Sequence, residues 1–227
     1  MPPRFPLLRF ALKAVPAIGA AVVSLHAAAV AVAPGGSATP LPGITAVANP
    51  ALDGTVLQDV VTGWVSANDP QYNFPGAQGE LESRVVRETS TGTLDFYWRI
   101  TVDGPSYPTY VPRLFTVSLP VANLLTSGVY DADWRPDGPG TSAPVDASAT
   151  VDYITWHFDP STFGPGSSSF FLLLHSNVTT YASNATAELG ASSIATFSPS
   201  VVPEPPDTSL LLAGLAAVTA LTRRRPG

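Results

Sequence analysis

The chain has 227 residues, a formal net charge of −6 at pH 7 and no cysteine. The absence of cysteine excludes disulfide frameworks, thiol catalysis and thiolate metal sites, so a folded domain must be held together by its core alone. The negative charge argues against nucleic acid as a partner, because nucleic-acid binding needs a basic surface.

Residues 1–31 have the pattern of a secretory signal peptide. Three basic residues open the chain: Arg4, Arg9 and Lys13. The next twenty residues are rich in alanine and valine and contain small-x-small tripeptides, such as those at 27–29 and 31–33. We expect export through the Sec translocon and cleavage by signal peptidase near Ala29 to Ala31. An uncleaved N-terminal anchor is the alternative, because the apolar stretch is long enough to span a bilayer.

The pattern of the central part of the chain predicts β-strands. Residues 32–50 are rich in proline, glycine, alanine and threonine, and we interpret them as a leader or an edge strand. From residue 51 to residue 200, apolar positions alternate with period two between turn residues, without a helical pattern of useful length or a fixed repeat. The sequence therefore predicts an all-β protein, a single antiparallel β-sandwich over residues 51–200.

A hairpin gives the clearest strand signal. Residues 80–88 and 94–102 flank the turn sequence Ser90-Thr91-Gly92. In its second strand five apolar residues point to one face: Leu94, Phe96, Trp98, Ile100 and Val102. Further strands are predicted at 57–65, 114–119, 151–158, 170–174 and 194–197. The continuous apolar run at 170–174 is typical of a central strand, and the pattern at 57–65 predicts partial cover on both faces.

Motifs of common enzymes are missing from the sequence. It contains no Gly-x-Ser-x-Gly elbow, no His-Glu-x-x-His helix and no phosphate-binding glycine loop. The body has two histidines, His157 and His175, each in a predicted strand, where histidines are usually structural or solvent-facing. We expect no catalytic residue and no enzymatic activity. A secreted hydrolase is a rival function, and it would need one of these histidines beside a nucleophile or an acid.

Three aspartates form the best candidate for a metal site. Asp131, Asp133 and Asp137 precede a glycine-containing turn, and calcium prefers carboxylate and carbonyl oxygens on such loops. However, Arg135 stands where an EF-hand loop would supply its third oxygen ligand, and ordinary turn chemistry explains the same residues. We therefore expect no cofactor, with calcium at these aspartates as the alternative.

Aromatic residues in predicted loops suggest a second rival function. They are Tyr72, Phe74, Tyr107, Tyr110 and Trp134. Loops often carry binding residues, and these rings could stack on sugars in a carbohydrate-binding module. The simpler interpretation is that the rings cover the ends of the sandwich core.

The last 27 residues combine three features in a fixed order. The linker 201–206 contains Val202-Pro203-Glu204-Pro205, whose prolines lack backbone N–H groups and keep the segment extended. Residues 208–222 form a predicted transmembrane helix, and residues 223–227 a basic cytoplasmic tail. The apolar helix contains Leu210, Leu211, Leu212, Gly214, Leu215 and Leu221, and the tail contains Arg223, Arg224 and Arg225.

The predicted helix is short for a membrane span. At about 1.5 Å per residue it covers about 22 Å, less than the roughly 30 Å hydrocarbon core. The three terminal arginines nevertheless favour a membrane-spanning helix, because they can reach the interface and hold the cytoplasmic side.

The charges of the chain are unevenly distributed. Between the two ends lie fifteen acidic residues and five arginines, so the body carries a net charge of about −10. Positive charge is thus concentrated at the ends, where it would stay in the cytoplasm.

These C-terminal features closely resemble the PEP-CTERM sorting signal of exported bacterial proteins, with Pro203-Glu204-Pro205, the apolar segment containing Gly214 and the arginine cluster in order. The resemblance covers about a tenth of the chain, and it departs from the pattern in Pro206 and in the trailing Pro226-Gly227. It implies an exosortase, a membrane-embedded cysteine protease and presumed transpeptidase, as the partner. It further implies a precursor anchored in the inner membrane and a product in the periplasm, at the cell surface or in the exopolysaccharide matrix.

Overall fold

A computed structural model of the protein describes residues 28–66, 76–103, 114–119, 130–190 and 192–200. Within these ranges it has twelve strands and a single 3-10 helix, Pro50–Leu52. The strands form two antiparallel six-stranded sheets, which confirms the prediction of an all-β sandwich. No helix in the described part of the chain has the length and apolarity needed to span a membrane.

The first sheet has the strand order β1-β7-β10-β5-β4-β3. Its strands are β1 (Val30–Val32), β3 (Gly54–Val65), β4 (Gln78–Glu88), β5 (Leu94–Val102), β7 (Tyr130–Arg135) and β10 (Phe171–His175). The predicted hairpin is confirmed as β4 and β5, which are joined by a turn with Gly92 at a φ of 75°. The predicted central strand is confirmed as β10, between β7 and β5.

The second sheet has the order β12-β11-β6-β9-β8-β2. Its strands are β2 (Thr39–Pro40), β6 (Leu114–Ser118), β8 (Pro144–Ala149), β9 (Tyr153–Phe158), β11 (Thr180–Leu189) and β12 (Ser192–Ser200). At one side of the sandwich β12 lies over β3, β4 and β5 of the first sheet, and at the other side β8 lies beside β1 and β7. The two sheets therefore enclose one core between them.

Large aromatic side chains fill this core. Trp98 of the first sheet is 1% exposed and meets Phe115 and Trp156 of the second sheet, with ring centroids 6.2 and 5.7 Å apart. The five apolar residues predicted to share one face of β5 are all buried. Rings of this size remove much apolar surface from water, which is the main source of stability in a chain without disulfides.

A segment before β3 covers the outer face of the first sheet. Residues 41–53, here called the covering segment, place Ile44 and Leu52 in a second apolar cluster with Tyr97, Phe171 and Leu173. Tyr97 lies on the face of β5 opposite the five core residues, and it is 3% exposed because this segment lies over it. The sandwich consequently has a third, partial layer on one side.

The residues just before position 51 pack with the sandwich. β1 pairs with β7, β2 pairs with β8, and the covering segment packs on the first sheet. Residues 30–50 therefore belong to the sandwich, as edge strands and cover, because Val32 and Ile44 are buried in its two apolar clusters. The remainder of the predicted signal peptide, residues 1–27, and the C-terminal segment 201–227 lie outside the described residues.

The expectation that β3 is partly covered on both faces is wrong. β3 is an edge strand hydrogen-bonded to β4 alone among the described strands, and Trp64 is its one buried residue. Four valines of this strand are exposed: Val56, Val60, Val61 and Val65. Its apolar pattern marks a strand, but the edge position leaves those side chains in solvent.

Candidate functional site

Two buried carboxylates share one imidazole at one end of the first sheet's outer face. His175 Nδ1 lies 2.8 Å from Asp95 Oδ1 and 3.1 Å from Glu88 Oε1. Asp95 is 0% exposed, Glu88 is 2% exposed, and the His175 side chain keeps 34% of its surface in solvent. We call Glu88, Asp95 and His175 the acid–histidine cluster.

Strand register brings the cluster together. Glu88 ends β4 and Asp95 lies near the start of β5, so both carboxylates lie beside the hairpin turn. β10 pairs with β5 so that His175 lies opposite Asp95, and with β7 so that it also lies opposite Asp131. No sequence pattern indicates this pairing, because residues 95 and 175 are far apart in the chain.

Neighbouring hydroxyl groups orient the two carboxylates. Glu88 Oε2 accepts hydrogen bonds from Thr91 and Thr93 of the turn. Asp95 Oδ2 accepts a hydrogen bond from the Tyr97 hydroxyl at 3.2 Å, and that hydroxyl accepts one from Arg135 Nη1 at 3.3 Å. Each carboxylate thus keeps one oxygen for His175 and one for the surrounding protein.

The electrostatics of the cluster favour a bound proton. The hydrogen bond that His175 donates to Asp95 raises the pKa of His175 above its ordinary value, although burial opposes this shift. Burial raises the pKa of Asp95, although the bond to His175 opposes that shift. Two carboxylates removed from water need a positive partner, and protonated His175 supplies it.

Among the described residues, the cluster is the one group of acids and histidines with the composition of a metal site, since one ligand atom of each residue lies within 4.8 Å of the others. Glu88 and Asp95 are buried and His175 is partly buried, and this composition alone does not establish a bound ion.

The second histidine has a different environment on the outer face of the second sheet. His157 Nδ1 forms a short hydrogen bond with Asp146 Oδ1, and His157 Nε2 lies 3.3 Å from Ser148 Oγ. The three residues lie on the paired strands β8 and β9, with Asp146 directly opposite His157. This order of acid, imidazole and hydroxyl is the one in which a serine can transfer its proton to histidine.

A small cavity of about 170 Å³ lies between the first sheet and the covering segment. Its lining includes Leu52, Arg84, Tyr97, Arg135 and Phe171. The guanidinium carbon of Arg84 lies 4.6 Å from the centroid of the Phe171 ring. Both cationic side chains are already paired, Arg84 with Asp59 and Glu82 and Arg135 with Asp137, so the cavity offers little free positive charge to a ligand.

The three aspartates considered for calcium have separate roles and form no common group. Asp133 is 0% exposed, and its Oδ1 accepts hydrogen bonds from the backbone N–H groups of Gly43 and Trp134, both at 2.9 Å. Asp137 pairs with Arg135 and accepts a 2.7 Å bond from Ala46 N. Asp131 is exposed. Two of the three carboxylates therefore hold the covering segment on the sheet.

Gly43 shows how closely that segment approaches the sheet. Its φ is 81°, and a Cβ atom there would lie 2.7 Å from the indole ring of Trp134. Trp134 was expected in a loop, but it lies in β7, packs beside Phe170 and donates a hydrogen bond to Leu41 O. Its ring therefore supports the covering segment.

The four other aromatics considered for sugar binding lie outside the described residues.

Replacing Asp133 with alanine should lower the free energy of unfolding by about 1–3 kcal/mol, because two partly buried N–H groups lose their acceptor. The change should be equal in calcium and in EDTA, measured by urea unfolding. Asp131→Ala is the matched control, since it removes an exposed carboxylate two residues away and should cost less than about 0.5 kcal/mol. A loss seen only in calcium would instead assign the aspartates to a metal.

Comparison with known proteins gives no match: no family model matches the chain, and neither a curated protein nor a solved structure is similar to it.

Proposed function

We propose that the protein is an exported, non-enzymatic component of the bacterial cell surface or exopolysaccharide matrix, sorted by an exosortase through its C-terminal signal. The observation that carries the proposal is the ordered series of Pro203-Glu204-Pro205, apolar segment and arginine cluster. Signal peptidase and the Sec translocon act at the N-terminus, and the membrane holds the C-terminal segment until processing.

The position of the last strand supports this proposal. β12 ends at Ser200, two residues before the motif begins at Val202. A cut within Pro203-Glu204-Pro205 would therefore leave all twelve described strands intact. Extended, proline-rich backbone is suited to a protease site, because it forms neither a helix interior nor a central strand. The exported sandwich would keep its fold after losing its anchor.

The sorting proposal is tested by intact-mass and C-terminal peptide analysis of the native protein. The surface fraction should lack the residues that follow the proline motif, whereas a strain without exosortase should retain the full-length precursor in its membranes. Glu204→Ala should also leave precursor in the membrane, and Glu188→Ala, an acid of the sandwich, should be processed normally. Recovery of mature surface protein that still carries Arg225 would overturn the proposal.

A secreted hydrolase is the second candidate function, favoured by the arrangement of Asp146, His157 and Ser148. In that function His157 Nε2 accepts the Ser148 hydroxyl proton while the serine oxygen bonds to an acyl carbon, and the imidazolium returns the proton to the leaving group.

A fluorophosphonate probe tests the hydrolase function, because the probe attaches covalently to activated serines. Labelling abolished by Ser148→Ala and His157→Ala, but not by Ser176→Ala, would establish the activity. Absence of labelling in the unaltered protein would refute the hydrolase function.

A further inference from the structure

The N-terminal strand is part of the core. Val32 of β1 is 0% exposed and belongs to the main apolar cluster, and Val30 packs against the same cluster. β1 pairs antiparallel with β7, with Val30 opposite Ala132 and Ala31 opposite Asp131. It covers the free edge of β7, whose residue Ala132 is 0% exposed.

The residues after β1 connect the two sheets. Pro34 forms a bridge with Ala149 of β8, and Gly35 N donates a 2.9 Å hydrogen bond to Ala149 O. A few residues later β2 pairs with β8. The chain thus passes from the edge of the first sheet to the edge of the second within about ten residues and closes this side of the sandwich.

The alanine-rich sequence offers three small-x-small tripeptides to signal peptidase. Cleavage after Ala29, Ala31 or Ala33 would give a mature chain beginning at Val30, Val32 or Pro34. The sequence pattern alone does not decide between cleavage after Ala29 and cleavage after Ala31. The fold distinguishes all three cleavage sites, because the three mature chains keep different parts of β1.

Cleavage after Ala31 would damage the fold. It would remove two of the three β1 residues and place a charged α-ammonium on Val32, which is fully buried. Burying an unpaired charge is strongly unfavourable. Cleavage after Ala33 would remove β1 entirely and leave a cavity where Val32 packs. Cleavage after Ala29 leaves the whole strand and places the new ammonium on Val30, which is only partly buried.

We propose that signal peptidase hydrolyses the bond between Ala29 and Val30. Water adds its hydroxyl to the Ala29 carbonyl carbon and its other proton to the Val30 nitrogen, so the C–N bond breaks and the nitrogen leaves as the amine of the mature chain. This inference rests on the proposed export of the protein and names the substrate bond of its first processing step.

The test is N-terminal sequencing and intact-mass measurement of the protein exported from its native host. A mature chain that begins at Val30 supports the proposal. A chain that begins at Val32 or Pro34 overturns the assigned bond and leaves export standing. An exported chain that retains Met1 overturns both the bond and the cleaved signal peptide, whereas a chain found in the cytoplasm overturns export itself.

Two lysine variants sharpen the test. Ala29→Lys places a large charged residue directly before the proposed bond, so it should reduce the mature form at least tenfold. Ala31→Lys is the matched control, because Ala31 is exposed and lies opposite the exposed Asp131. It blocks cleavage after residue 31 but should leave the Val30 terminus unchanged. Failure of Ala31→Lys to give the Val30 terminus would overturn the proposal, because cleavage after Ala31 or Ala33 needs a small residue at position 31.

Discussion

Replacing Trp98 with alanine should lower the free energy of unfolding by about 3–5 kcal/mol, the usual cost of truncating a large buried aromatic residue. Trp98 contacts Phe96, Phe115 and Trp156 and joins both sheets, so its loss opens a cavity between them. In a sandwich with no disulfide, such a loss is a large share of the total stability. Urea unfolding followed by far-ultraviolet circular dichroism measures the effect.

Two further variants separate packing from hydrogen bonding at this position. Trp98 Nε1 donates to Thr196 Oγ1 at 2.8 Å, and that hydroxyl donates to Ser83 Oγ at 2.9 Å. Thr196→Val leaves the indole in place but removes its acceptor, so it should cost about 1–3 kcal/mol. Val65→Ala, at an exposed position of β3, should cost less than about 0.5 kcal/mol. A loss below about 1 kcal/mol in Trp98→Ala would contradict its central place in the core.

Removing the imidazole of His175 should produce the second large effect. His175→Ala leaves the buried carboxylates of Glu88 and Asp95 without their shared cation, so the free energy of unfolding at pH 7 should fall by about 3 kcal/mol. This value is at the low end for a broken buried pair, because the imidazole is partly exposed. The loss should shrink as the pH falls, because burial raises the pKa of Asp95 and its protonation removes one uncompensated charge.

The unaltered protein should lose stability as the pH rises above neutrality. Because the pKa of His175 is raised in the fold, its contribution is complete below about pH 6.5, the ordinary histidine pKa, and disappears as the pH rises through the higher folded value. The raised pKa of Asp95 acts in the same direction. Denaturant midpoints measured from pH 5 to pH 9 test this slope.

His157→Ala is the matched control for these measurements. His157 also binds a carboxylate, Asp146, but both side chains are 27% exposed, and exposed ion pairs contribute at most about 1 kcal/mol. The Asp95→Asn variant should flatten the pH dependence, because it removes one of the two buried charges. Equal losses in His175→Ala and His157→Ala would refute the role assigned to the acid–histidine cluster.

The sequence predicted the strands that carry large apolar side chains and missed those built from small ones. The alternation of Phe96, Trp98 and Ile100 identified β5, and the run at 170–174 identified β10. β8 and β11 were not predicted, because their buried positions are alanines such as Ala147 and Ala187, which give little hydropathy contrast. β7 was interpreted as an aspartate-rich turn, although Asp133 is buried beneath the covering segment.

For the candidate site, the sequence predicted which face of its strand a residue occupies but not which residues meet there. The alternation in the hairpin correctly placed Asp95 on the face opposite the core, but its burial depends on contacts that no local pattern encodes. Its partner His175 comes from a strand 80 residues away, with a register set by tertiary packing. Pairing between distant strands cannot be derived from period-two alternation, which fixes faces and not neighbours.

The aromatic core also gives the protein an optical signature. Trp98 and Trp156 lie with their ring centroids 5.7 Å apart and their planes tilted by 54°. Indole rings held in a fixed asymmetric environment give a near-ultraviolet circular dichroism signal, which should disappear when the sheets separate and the packing is lost. The chain therefore carries its own reporter of sheet-to-sheet contact, and its folding can be followed without a label.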